Sequence, residues 1–138
     1  MKKTFFGLTL LMSSLLGLSQ IPDNYPNNQH KLIVADIPIK VQPIITLKDS
    51  ISGNIFVLDS FHINIYALNL KGDTLWKTDP WKDNGIQEYR VKRPVINYFK
   101  LGYTRWTDYK EAILICYNNS QFGSVDKTTG KFFLEGQD

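Results

Sequence analysis

Residues 55–76, IFVLDSFHINIYALNLKGDTLW, decide the fold of this chain. Short apolar stretches alternate with polar turns here, and the last turn contains Gly72, which is the pattern of short strands joined by hairpins. Residues 112–134, AILICYNNSQFGSVDKTTGKFFL, repeat this pattern. A repeat of this kind is one supersecondary unit that occurs twice. The sequence therefore predicts an all-β domain with two antiparallel meanders.

Strands are predicted within and between the repeats. They cover residues 32–35, 44–47, 55–58, 63–68, 74–77, 94–99, 112–117, 122–126 and 131–134. Pro38 and Pro43 favour an edge or a bent crossing in the segment that precedes the first repeat, because proline has no amide hydrogen for a central ladder. No segment keeps a helical apolar period for three turns, so no helix is expected between residues 78 and 93.

The N-terminus has the layout of a secretory signal. Lys2 and Lys3 precede an apolar stretch, and small residues before Gln20 predict cleavage near Ser19. The apolar stretch is shorter than the roughly 20 residues of a membrane-spanning helix, so we expect no stable membrane span in the mature chain and a secreted or periplasmic location. The predicted organisation is a signal peptide (1–19), a polar leader (20–30) and one all-β domain (31–138) with repeats at about 50–77 and 110–135.

The charge argues against a nucleic-acid-binding protein, and the cysteine content argues against a disulfide-stabilised one. The formal charge of the whole chain is +3, and two of its lysines lie in the predicted signal, so the mature chain has almost no basic excess. Nucleic-acid binding depends on such an excess, and nucleic acid is not an expected partner. Cys116 is the single cysteine, so no intramolecular disulfide forms. Its apolar context predicts a buried strand thiol and not a nucleophile.

Small-residue turns give the repeats a family likeness. Residues 67–69 (Ala-Leu-Asn) precede Gly72 and Trp76, and residues 124–126 (Ser-Val-Asp) precede Thr129-Gly130. This pattern resembles the β-propeller repeat of the pyrroloquinoline-quinone, or quinoprotein, type. In that family each blade is a four-stranded sheet, and a Trp docks on the neighbouring blade. The resemblance implies two blades, packed as a partial propeller or as a small sandwich.

The chain also departs from that family. The second repeat is predicted to have Leu134 where the first has Trp76, and Lys71-Gly72 replaces the preferred Thr-Gly. Two blades cannot close a ring, because propellers contain about four to eight. The chain is therefore expected to form a small sandwich, assemble with its own copies or dock on a partner propeller. No position matches a cofactor or catalytic ligand of the family, so no cofactor is expected.

Aromatic and basic residues alternate between residues 76 and 110, and this segment is the candidate binding surface. Rings beside cationic donors bind sugars, anions or protein partners. The same composition also fills small β cores and covers their rims, with Trp76 as the clearest packing residue. Trp81 and Trp106 lie in polar, turn-like contexts and are the least core-like. The candidate binding residues are Trp81, Arg93, Tyr103, Arg105 and Trp106.

Residue patterns typical of catalysis or metal binding are missing from the sequence. It has no Gly-x-Ser-x-Gly elbow, no His-Glu-x-x-His motif and no cysteine pair for zinc. Residues 79–88 are rich in oxygen donors, but their spacing does not fit an EF-hand. We therefore predict a non-catalytic secreted or periplasmic binding or assembly module that contacts a protein or glycan, or associates with itself. The alternative hypothesis is a small hydrolase or the remnant of a quinoprotein-like enzyme.

Overall fold

The computed structural model describes residues 33–138, and the predicted signal peptide and leader lie outside these residues. Two four-stranded antiparallel sheets make up the fold, each in simple sequential strand order. The first sheet contains β1 (Ile45–Lys48), β2 (Ile55–Leu58), β3 (Ile65–Leu68) and β4 (Thr74–Thr78), and the second contains β5 (Ile96–Gly102), β6 (Ala112–Tyr117), β7 (Gln121–Val125) and β8 (Phe132–Gln137). The prediction of an all-β domain with repeated antiparallel strands is confirmed.

Equivalent turns join the last two strands of each sheet. Asn69 Oδ1 accepts hydrogen bonds from the amides of Lys71 and Asp73, each at 2.9 Å. Asp126 Oδ1 accepts from the amides of Thr128 and Thr129, at 2.8 and 2.9 Å. Short polar side chains hold turns by this kind of bond, which explains why Asn and Asp occur at matching positions of the repeat.

Each sheet packs one face against the other sheet. We call these two faces the inner faces, and the opposite faces of the sheets the outer faces. The inner faces contribute the buried core side chains Phe56, Leu58, Ile65 and Ala67 from the first sheet and Ile96, Phe99, Ile113, Ile115, Tyr117, Val125 and Phe132 from the second. Alternation along each strand places every second residue on this shared core.

Trp76 joins the two sheets. Its ring stacks on Phe56 at a centroid distance of 5.9 Å, and its Nε1 donates to the carbonyl oxygen of Lys127 at 3.0 Å. The ring also lies on Gly130, where an added Cβ atom would be 2.6 Å from the indole. Gly130 has a φ of +75°, so glycine satisfies both the left-handed backbone and the close approach. The packing role that the sequence predicts for Trp76 is confirmed.

An ion network also connects the sheets. Lys127 Nζ lies 2.9 Å from Asp49 Oδ2 and 2.8 Å from Glu111 Oε1. Burial of Asp49 opposes its ionisation, but the hydrogen bonds from Lys127, Ile51 and Ser52 outweigh burial and lower the pKa of Asp49 to about 2. Asp49 follows β1, whereas Lys127 lies in the β7–β8 turn. The network therefore fixes one sheet to the other.

Three local predictions are wrong. Residues 33–35 form no strand, and Ala35 makes only an isolated parallel bridge to Val91. A one-turn helix, α1 (Pro80–Asp83), occupies part of the segment in which no helix was expected. Asp79 caps it by accepting a hydrogen bond from the amide of Lys82 at 3.1 Å, and Pro80 begins it. This short-range capping stabilises a single turn without an apolar period.

The third correction concerns the repeat register. Strand pairing places Trp76 opposite Ala67, and it places Phe133 opposite Ser124. Ala67 and Ser124 each lie two residues before the turn residue, Asn69 or Asp126. Phe133, and not Leu134, therefore occupies the position of Trp76 in the second sheet.

Candidate functional site

The five predicted binding residues fall into two separate groups. Trp81 and Arg93 lie together beside the core, on the side of the inner faces. Tyr103, Arg105 and Trp106 lie in the β5–β6 connection, where Trp106 lines recesses with Phe133 of the outer face of the second sheet. The structure therefore does not bring the five residues into one surface.

Trp81 is held by structural contacts. Its Nε1 donates to Gln121 Oε1 at 3.2 Å, and the Arg93 guanidinium lies 5.1 Å from the ring centroid. Arg93 also forms an ion pair with Asp79, the cap of α1. The ring is partly buried against the core cluster, so the expectation that Trp81 is one of the least core-like aromatics is wrong. Its role in binding stays a prediction.

Tyr117 is buried beside the Trp81–Arg93 group, and burial changes the pKa of its hydroxyl. Its side chain is 3% exposed, and burial, reinforced by the negative charge of Asp79, raises the pKa of its hydroxyl far above the ordinary value. The phenol therefore stays neutral at physiological pH. Tyr117 therefore packs beside the Trp81–Arg93 group as a neutral side chain.

The second group is open to solvent. Trp106 is 62% exposed and Tyr103 is 60% exposed. The Arg105 guanidinium lies 4.6 Å from the Trp106 ring centroid, and the Tyr103 hydroxyl donates to Glu111 Oε2 at 3.3 Å. A 3-10 turn, Arg105–Thr107, presents these side chains and is closed by reciprocal bonds between Thr104 and Thr107.

Trp106 lies beside a surface that the sequence analysis does not predict. Together with Phe133 it lines a recess of about 260 Å³ that also contains Ser124, and a second recess of about 280 Å³ that contains Leu134 and Glu135. Phe133 is 50% exposed and lies on the outer face, since it pairs with Ser124. Its signal in the sequence is its place in the repeat, because it occupies the position of Trp76.

Further apolar side chains extend the same face. Tyr98 pairs with Cys116, which pairs with Phe122, so these three side chains share the outer face of the second sheet. Tyr98 is 41% exposed, and Cys116 and Phe122 are half-buried. We call the set Tyr98, Trp106, Leu114, Cys116, Phe122 and Phe133 the aromatic patch. Basic side chains flank it: Lys100 lies 5.5 Å from the Tyr98 ring centroid, and Lys131 lies 5.1 Å from that of Phe133.

Cys116 and His62 have side chains of types that can act in catalysis, and both are held by contacts within the fold. Burial raises the pKa of the Cys116 thiol, so it is not an activated nucleophile. His62 lies between two backbone carbonyls, with Nδ1 3.0 Å from the Ile96 oxygen and Nε2 2.8 Å from the Pro43 oxygen. Both ring nitrogens thus lie against backbone oxygens, and these contacts place the ring between the segment before β1 and the start of β5. Among residues 33–138, no three His, Cys, Asp or Glu side chains are grouped to hold a metal ion.

No protein-family model matches this sequence, and no curated protein matches it significantly. Within the described residues, no helix has the length and apolar character needed to cross a membrane.

Proposed function

We propose that this chain is a non-catalytic binding or assembly module that works by packing its outer sheet faces against a protein partner. The aromatic patch is the observation that supports this most strongly. Three of its rings, Tyr98, Trp106 and Phe133, are 41%, 62% and 50% exposed on one side of one sheet. Large apolar patches on a monomer typically mark interaction sites, since burying them in a partner is favourable.

A protein partner fits this surface better than a glycan does. The half-buried Leu114 and Phe122 continue the patch between the exposed rings, and Ser124, which donates to Glu135, is a polar residue beside Phe133. Interface cores are enriched in aromatic residues, whereas charged residues lie at the rim. Lys100 and Lys131 have this rim position, because their long side chains extend over patch rings toward solvent.

The secreted or periplasmic location is part of the same proposal. Its support is the basic start, the apolar stretch and the small residues before Gln20. The enzyme alternative receives no comparable support, because Cys116 and His62 are held in structural surroundings.

Cross-linking in the producing cells tests this function. A lysine-reactive cross-linker is expected to capture the wild-type chain in a larger species, which is lost when Trp106→Ala and Phe133→Ala are combined. Phe61→Ala is the control, because Phe61 is 48% exposed in the β2–β3 turn, outside the patch. Mass spectrometry of the same material is expected to find the mature N-terminus near Gln20. An unchanged species in the double variant would exclude the patch as the contact, and an intact Met1 would exclude signal cleavage.

A further inference from the structure

Residues on the outer face of the second sheet occupy the same positions of the repeat as residues on the inner face of the first sheet. In the first sheet, one row of paired residues runs Leu47, Phe56, Ala67 and Trp76. The equivalent row in the second sheet runs Lys100, Leu114, Ser124 and Phe133. The first row packs on the second sheet through Phe56, Ala67 and Trp76. The second row has no such sheet against it within the described residues.

The other two faces correspond in the same way: the outer face of the first sheet has the repeat positions of the inner face of the second. Ile55 pairs with Leu68 on the outer face of the first sheet, and both are half-buried. The equivalent pair on the inner face of the second sheet is Ile113 and Val125, and both are fully buried. At this pair the outer face of the first sheet is an apolar counterpart of the surface that the first sheet covers within the chain. The neighbouring row of the same outer face, Thr46, Val57, Tyr66 and Lys77, is mixed in polarity. Leu75 precedes the inner residue Trp76 on β4, so alternation along the strand places it on this outer face, where it is 51% exposed.

The β3–β4 turn and the β7–β8 turn each contain a glycine with positive φ, but an aromatic ring covers only one of the two. The Trp76 ring covers Gly130, which is buried. Gly72 lies in the corresponding β3–β4 turn, three residues after Asn69, whereas Gly130 lies four residues after Asp126. Gly72 has a φ of +86°, and nothing lies within 4 Å of where its Cβ would be. Phe133, which is the equivalent of Trp76, is half-exposed. One chain thus contains an uncovered ring and an uncovered glycine turn that match a contact already made inside it.

We infer that a second copy of this chain packs head-to-tail, with the outer face of its first sheet on the aromatic patch and its Gly72 turn against Phe133. This inference rests on the proposed function, which makes the outer faces contact surfaces. The contact repeats the packing between the two sheets of one chain. Phe133 takes the place of Trp76, and the Gly72 turn takes the place of the Gly130 turn.

Head-to-tail contacts have a consequence for stoichiometry. Each copy carries both halves of the contact, so the arrangement either closes into a ring or grows as a filament. Rings of packed four-stranded blades contain about four to eight blades, which corresponds to two to four copies of this two-sheet chain. Closure covers every outer face without any other partner.

Light scattering with one-sided variants tests the polarity of this contact, with the chain as the producing cells process it. Leu75→Lys blocks the first outer face and Phe133→Lys blocks the second, at side chains that are 51% and 50% exposed. The wild type is expected to have a discrete mass of two to four chains, and each variant alone the mass of one. An equal mixture of the two variants is expected to give two chains, because each supplies the face that the other lacks. Phe61→Lys, at a residue 48% exposed outside both faces, is expected to keep the wild-type mass.

Other outcomes overturn the inference. A variant that still dimerises alone would indicate a symmetric contact through one face. A mixture of monomers would exclude the head-to-tail pairing. A monomeric wild type would exclude a second copy as the partner of the outer faces. In that last case, cross-linked species that depend on Trp106 and Phe133 would leave the proposed function standing, whereas their absence would remove both.

Discussion

The Gly123→Ala variant is expected to lose about 4 kcal/mol or more of folding free energy, a size of effect that requires a specific structural cause. Gly123 lies in the middle of β7, paired with Ile115 on one side and Leu134 on the other. An added Cβ would overlap the carbonyl oxygen of Phe133 and lie 2.7 Å from the Phe132 ring. The oxygen belongs to a neighbouring strand, so it cannot move without breaking the ladder.

Urea denaturation of purified Gly123→Ala measures this loss. Gly85→Ala is the matched control, because Gly85 has a φ of +60° but nothing within 4 Å of the added atom. Left-handed backbone alone costs an ordinary residue about 1–2 kcal/mol, so the control loses only that amount. Equal stability of the two variants would contradict the close approach of β8 to Gly123. Domains of this size are stable by about 5–15 kcal/mol, so Gly123→Ala is also expected to lower the yield of folded protein.

The Lys127→Met variant is expected to lose about 3–5 kcal/mol at neutral pH, because it leaves a buried carboxylate without its partner. The Asp49 side chain is 5% exposed and the Lys127 side chain 16% exposed, so solvent does not replace the lost contact. Met keeps most of the aliphatic length, which separates loss of charge from loss of packing. Lys131→Met is the control, since Lys131 is an exposed lysine of the same turn region.

The pH dependence of this loss distinguishes an ion pair from simple packing. The folded state lowers the pKa of Asp49 from its ordinary 3.8 to about 2. A lowered pKa stabilises the folded state fully above the unfolded value, and this stabilisation is lost as the pH falls through the folded value. The difference in unfolding free energy between wild type and Lys127→Met is therefore expected to shrink as the pH falls from about 4 toward 2. A difference that stays constant over this range would mean that Lys127 acts through packing alone.

Most of the strand pattern was predictable because it is encoded locally. Apolar alternation marked the repeat strands, and the Asn69 and Asp126 turns marked where they reverse. The one-turn helix α1 was missed, because capping by Asp79 and Pro80 leaves no apolar period to detect. Periodicity reports the faces of long elements, and it misses single turns.

The candidate surface was less predictable, because it depends on which face of each sheet is covered. Trp81 and Trp106 have similar polar contexts in the sequence, yet one packs against the core and the other is 62% exposed. Phe133 was overlooked because it lies outside the aromatic and basic segment. Pairing across β7 and β8 shows that it shares the position of Trp76. Such equivalence depends on strand register, which a single sequence determines only in part.

The labelling rate of Cys116 is the most direct test of whether the aromatic patch is covered by a second copy. Cys116 is the single thiol of the chain, and it lies half-buried within the patch. With a maleimide at constant pH, we expect the rate constant of wild-type labelling to fall as the protein concentration rises, because association covers the thiol. We expect the rate constant of Phe133→Lys to stay constant. A wild-type rate constant that is independent of concentration and equal to that of the variant would contradict coverage of the patch by a second copy.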